Sequence, residues 1–212
     1  MRAKVKYLAS ANEDNTAVYH ASQAGDKEVG KHEGQFVYHE VTVNDGRESF
    51  WDLDRQGFQL IQQPTKVTDF YDDGVVRSVF YQEAEDALLR HVPGAKHVKI
   101  FDHTRRSSAP QQRQSLRSRE PSSIIHNDYT AKSATKRLHD MMPTEEIDAL
   151  LSRNDRFAIV NLWRSISGRP VQTAPLVFCD STTIDVAKDL ISVKRVAKDR
   201  IGEVQDRHVG QR

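Results

Sequence analysis

Cysteine is almost missing from this chain of 212 residues, with Cys179 the single instance. One thiol excludes an internal disulfide and every metal site built on cysteine clusters, so any metal must be held by histidine and carboxylate. Charge of one sign is missing too, since 31 Lys plus Arg stand against 30 Asp plus Glu. No overall field draws the chain onto nucleic acid or an anionic membrane, and a small molecule is the expected partner. Nowhere is there a run of about 18 apolar residues that could span a membrane. The start, MRAKVKYLASANEDN, carries charge but no apolar signal core. Together these absences lead to the expectation of a soluble, cytoplasmic protein. A glycine-rich phosphate loop, a G-x-S-x-G elbow and internal repeats are also lacking, which removes support for a nucleotide loop or a serine hydrolase.

The length is that of one domain with a real core, so residues 1–212 are expected to form a single domain. GQFVYHEVTV (34–43) is rich in β-branched and aromatic residues and ends at Asn44-Asp45-Gly46, which predicts a strand and a turn. GFQLIQQPTKV continues in extended form. YQEAEDALLRHVPGA, with early acids, Leu88, Leu89 and Val92 on one side and Pro93-Gly94 as a stop, predicts a short helix. KHVKIFDHTRR (96–106) alternates and predicts a strand. From 105 to 123 the chain becomes polar and arginine-rich, which predicts a mobile loop: either a solvated insertion or a basic lid that attracts a carboxylate-bearing ligand. AKSATKRLHDMM predicts a helix with Leu138, Met141 and Met142 on one stripe. Pro143 interrupts it, and TEEIDALL restarts it with Thr144 as N-cap. RFAIVNLWRSI (156–166) predicts a strand buried on both faces, APLVFCD another strand, and TIDVAKDLI a turn or two of helix.

The chemistry centres on SSIIHNDYT. At the end of an extended segment, side chains two apart point the same way, so His126 and Asp128 can reach one point. Non-haem Fe(II) oxygenases hold their metal with two histidines and one carboxylate, and H-x-D supplies two of these. The plain alternative is a histidine beside a helix cap, with Asp128 accepting a backbone N–H ahead of the following helix. Arg164, after an apolar strand, should meet a carboxylate, either the protein's or a ligand's. Trp163 is read first as core and second as a substrate platform.

The ordered segments GRESFWDLDRQGFQLIQQPTKVTDFYDD, VFYQEAEDALLRHVPGAKHVKIFDHTRR, HNDYT and RFAIVNLWRSISGRPVQTAPLVFCDSTTIDVAKDL resemble the fungal CmcJ-like hydroxylases and desaturases over about residues 36 to 204. That family is similar to the Fe(II)/2-oxoglutarate oxygenases and acts mostly in secondary metabolism. The resemblance implies an α+β fold with a double-stranded β-helix, jelly-roll-like core and flanking helices. It also implies Fe(II) with 2-oxoglutarate as co-substrate, and His126 and Asp128 as the first two iron ligands. VNLWR, with Asn161, Trp163 and Arg164, matches the family's most recognisable strand, and PLVFCD, ending at Asp180, the segment after it.

Family members continue into strands that carry a distal histidine and an arginine, whereas Gln205 to Arg212 do not resemble them. The expectation is therefore a fold incomplete at its C-terminus, with an atypical tail at 205–212 and sheet edges open to pairing as a homodimer. His208 would be offered as a third ligand, but it sits in a polar tail, and His139 falls on a helix surface. Two functions follow. One is a hydroxylase or desaturase; the other is a non-catalytic relative, a remnant or binding protein with an incomplete metal site.

Overall fold

The computed structural model describes residues 1–10, 17–21, 24, 30–197 and 201–207. Its strands are β1 (Arg2–Ser10), β2 (Ala17–His20), β3 (Lys31–Glu33), β4 (Gln35–Thr42), β5 (His126–Asn127), β6 (Leu190–Val196) and β7 (Ile201–Arg207). The helices are α1 (Leu53–Gln56), α2 (Asp73–Val75), α3 (Tyr81–His91), α4 (Pro110–Ser115), α5 (Ala131–Met141), α6 (Thr144–Ser152) and α7 (Val186–Asp189), with a π-turn at Val76–Phe80 joining α2 to α3.

Two sheets result. β1 and β4 pair antiparallel, from Arg2 opposite Thr42 to Leu8 opposite Phe36. The second sheet runs β3-β2-β6-β7-β5, with β2 and β6 parallel and the other pairs antiparallel. Alternation along β6 and β7 turns Ile191, Val193 and Val204 inward, where they meet Leu8 of β1, with Tyr19 and Phe36 against the cluster. That shared core holds the two sheets face to face. Among the described residues no helix is long and apolar enough to cross a membrane.

The expected strand at 34–43 is β4, and the helices expected within YQEAEDALLRHVPGA and AKSATKRLHDMM are α3 and α5. Two details differ. Ala84 and Ala87, not Leu89, form the buried face of α3, because Leu89 points to solvent. Helix α6 begins at Thr144 itself, with Pro143 as its cap residue.

Three expected strands are not paired. Residues 96–106 have only an isolated bridge, Arg106 with Arg119, and 156–166 and 174–180 join no ladder. An apolar run is buried only where another element lies against both of its faces. Here Phe157, Trp163, Leu176, Val177 and Phe178 remain substantially exposed. Phe178 is anchored instead by stacking on Phe58, with ring centroids 4.9 Å apart.

The arginine-rich stretch 105–123 carries local order. Ser107 N–H donates to Arg119 O and Arg119 N–H to Arg105 O, closing a loop around α4, and Ser118 is buried. The expected tail is corrected in part: Gln205, Asp206 and Arg207 are the last residues of β7 and pair with β6 and β5. His208 lies outside the described residues.

Candidate metal centre

Strand β5 is two residues long and exists because β7 hydrogen-bonds to it, with His126 opposite Asp206 and Asn127 opposite Gln205. Immediately after it the chain turns into α5. The cap of that helix is Thr130, whose Oγ1 accepts from Ser133 N–H at 3.0 Å while Ser133 Oγ accepts from Thr130 N–H at 2.9 Å. Ser133 Oγ also donates to Glu203 O at 2.8 Å, which ties α5 to β7. The reciprocal cap satisfies two helix-end donors and removes any need for Asp128 there. The helix-cap reading of Asp128 is thus overturned, and its carboxylate is released for other contacts.

Those contacts are specific. Asp128 Oδ2 accepts from Asn161 Nδ2 at 2.6 Å, and Oδ1 lies 3.5 Å from His126 Nε2. His126 Nδ1 lies 2.9 Å from Ile124 O; a carbonyl only accepts, so Nδ1 carries the proton and donates. Each side chain is therefore held by one polar atom and presents the other to its partner. A neutral Nε2 lone pair facing a carboxylate needs a cation between them, either a proton or a metal. The charge states follow. The hydrogen bond to Asp128 raises the His126 pKa against the opposing effect of burial. The same hydrogen bond holds Asp128 down at about 2, with Asn161 and the Arg106 charge adding to it. Beneath them Asp206, 2% exposed, is pushed up to about 6 by burial.

This donor set fits part of an iron site. A metal-bound histidine commonly donates its second ring N–H to a backbone carbonyl, as His126 does to Ile124, and a ligating carboxylate is itself hydrogen-bonded, as Asp128 is by Asn161. At 3.5 Å apart, His126 Nε2 and Asp128 Oδ1 are placed so that both would hold one ion. Among the described residues, no group of three or more His, Cys, Asp or Glu converges as a metal cage.

Among the described residues, Arg164 meets rings rather than a carboxylate. Its guanidinium lies 5.4 Å from the centroid of Phe70 and 5.7 Å from that of Phe80, and its buried Nε has no hydrogen-bond partner among the described residues. Trp163 is 49% exposed and is not a core residue. His139 is on the exposed face of α5, as expected. Asn161 and Asp206 are the residues that the site adds. Asn161 stood within VNLWR, three residues before Arg164, and Asp206 continues the inward alternation of Val204 along β7.

Residues 5–209 match the model of the oxidoreductase/YMDC permease-like domain family. The chain belongs to this family. Within reach of it are fungal relatives: the hydroxylase/desaturase CTB9 of Cercospora beticola is 29% identical over 169 residues, covering 74% of this chain and 51% of that protein. The hydroxylase/desaturase poxK of Penicillium oxalicum is 32% identical over 151 residues, covering 68% and 45%. The alpha-ketoglutarate-dependent dioxygenase phiK of a fungal species is 29% identical over 167 residues, covering 75% and 56%. The chain spans about half the length of these relatives. The resemblance to fungal hydroxylases and desaturases is borne out. The iron and alpha-ketoglutarate-dependent endoperoxidase NvfI superposes with a TM-score of 0.71 at 18% identity, over 100% of this chain and 76% of NvfI. This chain and NvfI thus share a fold.

Proposed function

We propose that the chain belongs to an oxidoreductase that hydroxylates or desaturates a small molecule of secondary metabolism, with Fe(II), O2 and 2-oxoglutarate. The observation that carries this reading is the convergence of His126 Nε2 and Asp128 Oδ1, each side chain tied back through its other polar atom. Names of the relatives, a dioxygenase and several hydroxylase/desaturases, support the reaction class. When bound, Fe(II) with 2-oxoglutarate would supply the activation of O2, the oxidant for removal of hydrogen from a C–H bond.

The residues of the chain have separate tasks in this reading. His126 and Asp128 hold the metal, Ile124 O fixes the imidazole tautomer, and Asn161 orients the carboxylate. Metal takes the place of the shared proton, so loading competes with protonation of His126 and weakens as pH falls. Arg164, with its buried Nε, is assigned to a carboxylate of the co-substrate or substrate. Trp163, half exposed one residue before it, is assigned to the substrate.

The test is succinate formation from 2-oxoglutarate by the Fe(II)-loaded chain during a screen of small molecules. His126→Ala and Asp128→Ala should abolish it, and turnover that survives both changes would refute the assignment. One observation favours a second reading, a binding protein with an incomplete metal site. No third ligand converges on the pair among the described residues. A loaded chain that binds small molecules but forms no succinate would establish it.

A further inference from the structure

A cavity of about 250 Å³ opens elsewhere, between the start of α2, the π-turn and the two ends of the loop around α4. Four of its lining residues are Arg77, Arg105, Arg117 and Arg119, against the carboxylates of Asp73 and Asp102. Asp73 is already engaged, 2.7 Å from Arg105 and 3.3 Å from His103 Nε2. Arg105 is further fixed by donating to Phe70 O and Tyr71 O, at 3.2 and 3.1 Å. Among the described residues, Arg77, Arg117 and Arg119 have no carboxylate partner. Arg77 lies instead over the Tyr81 ring, 5.7 Å from its centroid.

The backbone adds a second observation. Arg117 follows the C-cap residue of α4 with φ +47°, the left-handed conformation that glycine takes without strain. An L-residue is strained there, so the fold holds an arginine at the cavity where glycine would be easier.

We infer that this cavity is an anion site that takes the carboxylate or phosphate of a small molecule, separate from the His126–Asp128 pair. Planar guanidinium forks match both groups, and four arginines against two carboxylates leave the cleft with an excess of positive charge that concentrates anions. The volume lies below the about 300–1,000 Å³ of pockets that enclose drug-sized ligands, so it suits a small dianion or the charged end of a larger molecule. Phe70 links the cavity to the proposed function, since its carbonyl accepts from Arg105 while its ring meets Arg164. The anion site does not depend on iron.

Calorimetric titration of the full chain, freed of metal on a chelating resin and kept at low salt in a non-anionic buffer, tests it, with succinate, inorganic phosphate and the uncharged diethyl succinate as probes. The wild type should bind one or both anions but not the ester, and the preferred anion identifies the group recognised. Arg77→Gln with Arg117→Gln, checked for folding by circular dichroism, should bind about tenfold more weakly or worse. His126→Ala should bind as the wild type does. Arg77→Lys with Arg117→Lys keeps the charge without the fork and should fall between, which gives a readout if the glutamine pair does not fold. No anion binding by the wild type, undiminished binding by the substituted arginine pairs, or loss in His126→Ala would each overturn the inference.

Discussion

Asp206→Asn offers the sharpest test of the site's electrostatics, because one buried carboxyl sets both sign and size. Asp206 is 2% exposed, and burial pushes its pKa up from 3.8 to about 6 in the metal-free chain. Folding therefore takes up a proton between these values. The stability contributed by the neutral carboxyl is fully present below pH 3.8 and is lost as pH rises through about 6. The full loss amounts to about 3 kcal/mol at neutral pH, at about 1.4 kcal/mol per unit. Asparagine has nearly the same shape and does not ionise, so the variant escapes the loss. Urea unfolding of both proteins in EDTA, from pH 4.5 to 7.5, should show the variant gaining about 2 kcal/mol on the wild type across that range. A stability difference that does not change with pH would show that Asp206 takes up no proton on folding, and would refute the reasoning.

The remaining expectations concern single contacts. Asn161→Ala removes the donor to Asp128 Oδ2 and should weaken Fe(II) binding about 10- to 100-fold; unchanged affinity by titration would contradict the orienting role. Thr130→Ala breaks the reciprocal cap of α5 and should cost about 1 kcal/mol in urea unfolding, with no pH dependence. Gly94→Ala should cost about 1–2 kcal/mol through backbone strain, since Gly94 has φ +73° and no atom lies within 4 Å of an added Cβ. A neutral result would mean that the turn after α3 relaxes.

Legibility in the sequence followed how locally each element is determined. β4 and α5 could be read because β-branched alternation and a 3.6-residue stripe are local properties. β1 was hidden by its lysines: Lys4 and Lys6 make the segment look polar, while Tyr7 and Leu8 are buried against other elements. β6 was masked by the helix-like TIDVAKDLI, which ends in a single turn before Ile191 and Val193 enter the core. The strand expected at 156–166 failed for the opposite reason. Its apolar content is real, but pairing depends on a neighbour that the pattern cannot supply. At the site, the H-x-D spacing located His126 and Asp128. The release of Asp128 from capping was not legible, because it depends on Thr130 and Ser133 closing the helix without it. Asn161 is 33 residues from Asp128, so that contact is purely tertiary. Asp206 was obscured because three residues of β7 were assigned to a polar tail.

Anaerobic Fe(II) titration of the purified chain, with and without 2-oxoglutarate, bears most directly on the metal centre. An iron site at His126 and Asp128 should give a visible absorption band only when Fe(II) and 2-oxoglutarate are both present, and the band should vanish in His126→Ala and in Asp128→Ala. A band that persists in both variants would place the metal elsewhere, and no band in the folded wild type would contradict the iron site in this chain.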